Sequence, residues 1–143
     1  MFETVVIATD GSESGRRAVD TALDLAQKFD AEVHALYVVD RSRVEGLPED
    51  LHDEVEQALE TEADESLAVV GDRAHREITT AIRAGRPAAE ITAYAREVDA
   101  DVVATGTRGR DGEHSFLLGS VAEHVVRTCP VPVLTVRQLE SAG

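Results

Sequence analysis

Apolar positions along the 143-residue chain recur in two alternating rhythms. The run ETVVIAT, residues 3–9, is short, β-branched and halted by Asp10-Gly11, which predicts a buried strand. SGRRAVDTALDLAQKFD follows, where Ala18, Ala22 and Ala26, with Val19 and Leu23, return every fourth position. That spacing predicts an amphipathic helix, with Ser12 or Ser14 available as its cap. AEVHALYVV, residues 31–39, reads as a second strand. Beyond a linker, RSRVEGLPED, a long helix is expected to enter near Pro48 with Leu51, Val55, Leu59, Ala63, Leu67 and Val70 as its inner stripe. Between Glu49 and Glu65 its outer face carries nine acids and no Lys or Arg, either a docking surface for a basic partner or a solvated face.

REITTAIRAG, residues 76–85, predicts a third strand on which Ile78, Thr80 and Ile82 share a face. Pro87 suits a first helical turn, and PAAEITAYAREVD turns Ile91, Tyr94, Ala95 and Val98 inward. DVVATG (101–106) gives a fourth strand, residues from about Ser120 to Thr128 a helix, and VPVLTV (132–137) a fifth strand. Pro130 and Pro132 fit the fifth strand to a sheet edge, because proline cannot donate to a ladder. Strands alternating with helices imply right-handed crossovers and an α/β fold, a mainly parallel sheet covered on both faces. Ligands of such sheets bind at the carboxyl ends of strands, where the strand order switches. Three segments qualify: Asp10 to Ser14, Val38 to Asp40, and Gly106 to Ser120.

Length predicts one domain over residues 1–143, and 43% hydrophobic with 3% aromatic residues predicts a core of Val, Ile, Leu and Ala. No apolar run approaches the ~18–20 residues of a membrane span. The opening MFETVVIATD lacks the basic region and cleavage pattern of a secretion signal, so a cytoplasmic location is expected. Cys129 is the only cysteine, which excludes an intrachain disulfide and leaves a small buried filler as its expected part. A formal net charge of −14 repels phosphate backbones and argues against general nucleic-acid binding. Lys28 is the only lysine, so the acidic surface is either a halophilic adaptation screened by dissolved cations or that of an ordinary acidic protein.

The familiar catalytic signatures are missing. TDGSESG after the first strand does not fit the dinucleotide fingerprint, no glycine precedes a lysine as a Walker A loop needs, and no GxSxG elbow occurs. His34, His52, His75, His114 and His124 are scattered without metal-ligand spacing. A receiver-like phosphorylation switch would need an aspartate after the third strand and a lysine after the fifth, where IRAG and TVRQ stand. An adenylating enzyme would place its phosphate loop after the first strand, where TDGSESG is poor in glycine.

What remains is GTRGRDGEHSFLLGSV, residues 106–121. Gly106 and Gly109 allow close backbone approach and a tight turn, and Gly119-Ser120 opens a helix whose unpaired N–H groups attract anions. On these residues alone the segment is either a phosphate cradle or a turn. The spacing Gly106-x2-Gly109-x9-Gly119-Ser120 resembles the signature of the ATP-binding, UspA-like subgroup of the universal stress protein family. VVIATDGSESGRRAVDTA, GRPAAEI, DVVATGTRG and CPVPVLTV share that resemblance, in the family's order over nearly the whole chain.

The resemblance implies a three-layer α/β sandwich of the adenine nucleotide alpha hydrolase-like type, with five parallel strands in order 3-2-1-4-5. It also implies a homodimer through the fifth strand, residues 131–137, and a regulatory or stress-response role with ATP and Mg²⁺ or Mn²⁺ as cofactors. Carried over, Ala8, Thr9 and Asp10 would border the nucleoside, and Val38 and Val39 would meet the adenine edge through backbone groups. Gly106, Thr107, Arg108 and Gly109 would hold the ribose and first phosphates; Gly119, Ser120, Val121 and Ala122 would hold the terminal phosphates. Asp10 either binds the divalent metal or caps the first helix, and Arg108 either meets a phosphate or faces solvent. Two positions depart from the resemblance: ATP-binding relatives can carry proline where Ala8 stands and a hydroxyl residue where Ala122 stands. No activated nucleophile or general base is evident, so rapid hydrolysis is not expected and slow turnover stays open.

Overall fold

The computed structural model describes residues 3–9, 13–106 and 120–136. Along the chain lie β1 (Thr4–Ala8), α1 (Glu13–Phe29), β2 (Glu32–Asp40), a short α2 (Ser42–Glu45) and a 3-10 turn at Glu49–Leu51. Then come α3 (His52–Ala74), β3 (Thr79–Gly85), α4 (Pro87–Glu97), β4 (Val102–Gly106), α5 (Ser120–Thr128) and β5 (Val133–Val136). The five strands are parallel in the order β3-β2-β1-β4-β5, as the resemblance implied.

A central parallel strand is covered on both faces, so its sequence can be apolar throughout. β1 obeys this: Val5, Val6 and Ile7 are all buried. Odd and even positions feed two cores. Val5, Ile7, Val33, Ala35 and Tyr37 pack with α1 and α3, while Val6, Leu36 and Val103 pack with α4 and Val125 of α5. Each Val or Leu so enclosed contributes roughly 1.5–3 kcal/mol over its exposed state. Cys129 is partly buried against the second core, the small filler expected of it.

The expected α3 stripe holds only from Leu59 onward. Leu59, Ala63, Leu67 and Val70 are buried, together with Ser66, but Val55 is half-buried and Leu51 is 40% exposed. A helix of 23 residues runs ~35 Å, whereas a nine-residue strand spans ~30 Å and the others less, so α3 begins beyond the sheet it covers. The expected linker is partly ordered into α2 and the 3-10 turn, with Val44 buried and His52 Nε2 hydrogen-bonded to the Leu47 carbonyl at 2.8 Å. α1 begins at Glu13, so Ser14 lies within its first turn and not ahead of it, while Ser12 lies outside the described residues.

α1 and α4 stop in the same way. The N–H of Ala31 donates to the Ala26 carbonyl at 2.8 Å and that of Asp30 to Gln27 at 3.3 Å. Ala100 donates to Ala95 at 2.9 Å and Asp99 to Arg96 at 3.3 Å. These paired bonds are Schellman motifs, which require a left-handed residue after the helix. Asp30 and Asp99 supply it at φ 52° and 53°.

Candidate functional site

In the order β3-β2-β1-β4-β5 the chain leaves β1 towards one edge and returns at β4 on the other side. α1, which follows β1, packs in one core, and α5, which follows β4, contributes Val125 to the other. α1 and α5 thus pack against opposite faces of the sheet, and the carboxyl ends of the adjacent strands β1 and β4 mark the strand-order switch, the place where ligands of such sheets bind. Ala8 ends β1 there, with Thr9 just beyond it, and Gly106 ends β4; all three are half-buried. The Thr9 N–H donates to the Leu36 carbonyl at 3.0 Å, which ties this rim to β2.

Val38 and Val39 stand near the carboxyl end of β2, both half-buried. Val38 packs into the α4 core and Val39 into the α1–α3 core, so their side chains are committed to opposite faces. Backbone groups are what this strand end can offer a ligand. The next residue, Asp40, accepts the N–H of Ser42 at 3.0 Å and its hydroxyl at 2.7 Å, an Asx-type turn that starts α2 at the rim. Sequence reading treated that segment as a linker, although an Asp two residues before a Ser was the available signal.

α5 begins at Ser120, and the first N–H groups of any helix lack intrahelical acceptors. Ala122 is buried, so it can offer a ligand its backbone but not its methyl, and Val121 is 36% exposed. The structure thus brings Ala8, Thr9 and Gly106 to neighbouring strand ends, with Val38 and Val39 one strand further and Val121 and Ala122 in the first turn of α5. Asp10, Thr107, Arg108, Gly109 and Gly119 lie outside the described residues. Among the described residues no three His, Cys, Asp or Glu side chains converge as a metal site.

His34 belongs to the opposite end of β2. Its Nδ1 is hydrogen-bonded to the Tyr94 hydroxyl at 2.9 Å, with the two rings edge to face at 5.8 Å. The Arg83 guanidinium lies 5.1 Å from the Tyr94 ring centre and pairs with Glu97 at 3.3 Å. Burial pushes the Tyr94 phenol above its usual range, with Arg83 opposing that shift. This polar cluster joins β2, β3 and α4 and is spent on packing.

Comparison with known proteins agrees with this architecture. The model of the universal stress protein family matches residues 1–137. Universal stress protein MJ0531 of Methanocaldococcus jannaschii is 39% identical over 142 residues, covering 96% of this chain and 84% of that protein. Universal stress protein YxiE of Bacillus subtilis is 32% identical, covering 96% of this chain and all of its own length. Among solved structures, hypothetical protein MJ0577 superposes with a TM-score of 0.86 at 26% identity, covering 99% of both chains. A universal stress protein in complex with cAMP gives 0.70 at 26% identity over 95% of this chain and 97% of the other. With family model, strand order and relatives in agreement, the chain belongs to the universal stress protein family.

Proposed function

We propose that this protein is a cytoplasmic ATP-binding module of regulatory or stress-response type, whose nucleotide occupancy changes what its dimer binds. The observation that carries the reading is the position of the glycine motif. Its first member, Gly106, ends β4 beside β1 in the strand-order switch, and its last, Ser120, is the first residue of α5. A phosphate chain at that point would meet unpaired helix N–H groups and the positive end of the α5 dipole. The residues fit a nucleotide: Ala8 and Gly106 are small where a ribose needs room, and backbone groups of β2 can read the adenine edge. A relative described as a cAMP complex supports an adenylate ligand, since ATP and cAMP share that moiety. Asp10 would hold the Mg²⁺ or Mn²⁺ that screens a triphosphate from a chain of net charge −14.

Calorimetric titration of ATP and of cAMP into wild type and Gly119→Val tests the reading. A β-branched side chain at Gly119 would fill the space that a phosphate of the proposed ligand needs. ATP should bind wild type and fail to bind the folded variant. Equal binding by a folded Gly119→Val would reduce the motif to a turn.

A further inference from the structure

We propose that the β3 edge of the sheet takes up an extended, lysine- or arginine-bearing segment of another protein as an added strand. β3 ends the strand order, so among the described residues one side of its backbone has no neighbouring strand. Which groups face outward follows from the ladder. The Leu36 carbonyl accepts Thr9, so even residues of β2 face β1 and odd ones face β3. In a parallel pair the residue bonded on one strand sits opposite a residue whose own groups point away. Ala35, Tyr37 and Val39 pair in register with Thr80, Ile82 and Ala84, so the latter three present their N–H and C=O groups outward. The same three residues are exposed, Ile82 by 40%. Free backbone pairing and an uncovered apolar side chain thus coincide at one strand.

Charge identifies the occupant. Arg73 of α3 pairs with Asp20 of α1, so that flank of α3 faces the sheet centre. By helical spacing Glu60 and Asp64 lie on the other flank, towards β3, and both are exposed. Neither has a basic partner among the described residues, and Glu49 to Glu65 contains no Lys or Arg at all. On the opposite face of β3, Arg83 is already paired with Glu97. A lysine of an added strand could lay its aliphatic stem over Ile82 and carry its ammonium to Glu60 and Asp64. A second copy of this chain would instead bring acidic flanks together at a net charge of −14 each. Strand addition of this kind draws affinity from main-chain bonds and selectivity from alternate side chains.

The test uses two synthetic octapeptides, alternating Lys-Thr and alternating Glu-Thr, titrated calorimetrically into the full chain at low ionic strength. The Lys-Thr peptide should bind and the Glu-Thr peptide should not. Ala84→Pro removes one outward N–H without touching the β2 ladder, and Ile82→Lys adds a repelling charge at the edge; each should weaken binding at least about tenfold. The double variant Glu60→Gln with Asp64→Asn should flatten the salt dependence of binding. Failure of wild type to bind the Lys-Thr peptide, or equal binding of both peptides, overturns the proposal. So does undiminished binding by Ala84→Pro, or by Ile82→Lys if the proline variant does not fold, since the acidic face alone would then hold the peptide. Self-association of wild type that these edge substitutions abolish would make a second copy the occupant and equally overturn it.

Discussion

Asp101 and Thr4 hold each other by two hydrogen bonds: the Asp101 N–H donates to the Thr4 carbonyl at 2.8 Å, and the Thr4 N–H donates to Asp101 Oδ2 at 2.9 Å. The same oxygen accepts the Glu3 N–H at 2.8 Å. These bonds fasten the start of β1 to the start of β4, at the end of the sheet away from the candidate site. They favour the ionised carboxylate, so the Asp101 pKa is held below its usual range by Glu3 and Thr4.

A carboxylate with a depressed folded-state pKa stabilises fully above the unfolded value of ~4 and loses that stabilisation as pH falls through the lower folded value. Asp101→Asn should therefore melt below wild type at neutral pH, and the two curves should converge in acid. Thermal melts from pH 7 to pH 3 check this. A gap that stays constant across that range would show that the charge of Asp101 is irrelevant.

Tyr94→Phe removes the hydroxyl that satisfies His34 Nδ1 inside the sheet–α4 layer. A buried polar nitrogen left without its partner should cost about 1–2 kcal/mol in chemical denaturation. The paired variant His34→Leu with Tyr94→Phe should recover part of that loss, because neither polar group is then stranded.

The β5 edge should mediate a homodimer. The Val103 N–H donates to the Pro132 carbonyl at 2.9 Å, so the backbone groups of Val133 and Thr135 face away from β4, where among the described residues no strand meets them. Light scattering is expected to give a dimer mass for wild type and a monomer for Thr135→Pro. A monomeric wild type at micromolar concentration would end this reading.

If the acidic surface is a halophilic adaptation, molar KCl should raise the melting temperature by screening a net charge of −14. A melting temperature that is flat or falling with salt marks an ordinary acidic protein.

Nucleotide contacts should separate by chemistry. Ser120→Ala should weaken ATP roughly 5- to 30-fold, the equivalent of about 1–2 kcal/mol for one hydrogen bond to a charged group. Asp10→Asn should weaken ATP chiefly when Mg²⁺ is present. Titrations with and without the metal distinguish these roles, and a metal-independent loss would make Asp10 a helix cap instead.

Much of this fold was legible because parallel strands announce themselves. β1 and β4 are apolar on successive residues, and Pro87 marks the start of α4 where the structure has it. Periodicity reports the inward face of an element but not where the layer beneath it ends. Hence Leu51 and Val55 looked like core positions, although α3 outruns the strands below. Ile82 likewise shares a face with Ile78, which packs on the core, yet stays exposed because β3 is an edge. At the site, glycine spacing pointed to Gly106, but the Asx turn of Asp40 carries no periodic signal. The commitment of Val38 and Val39 to opposite faces follows from alternation only once the strand's bounds are known.

The helix ends leave room for engineering. Asp30 and Asp99 occupy left-handed positions that glycine adopts without a Cβ penalty. Both precede strands at the amino-terminal end of the sheet, remote from the strand-order switch. Asp30→Gly gives up only an exposed 3.6 Å pairing with Arg76. A designer seeking a hardier variant could thus work at these two turns without disturbing the carboxyl ends of the strands.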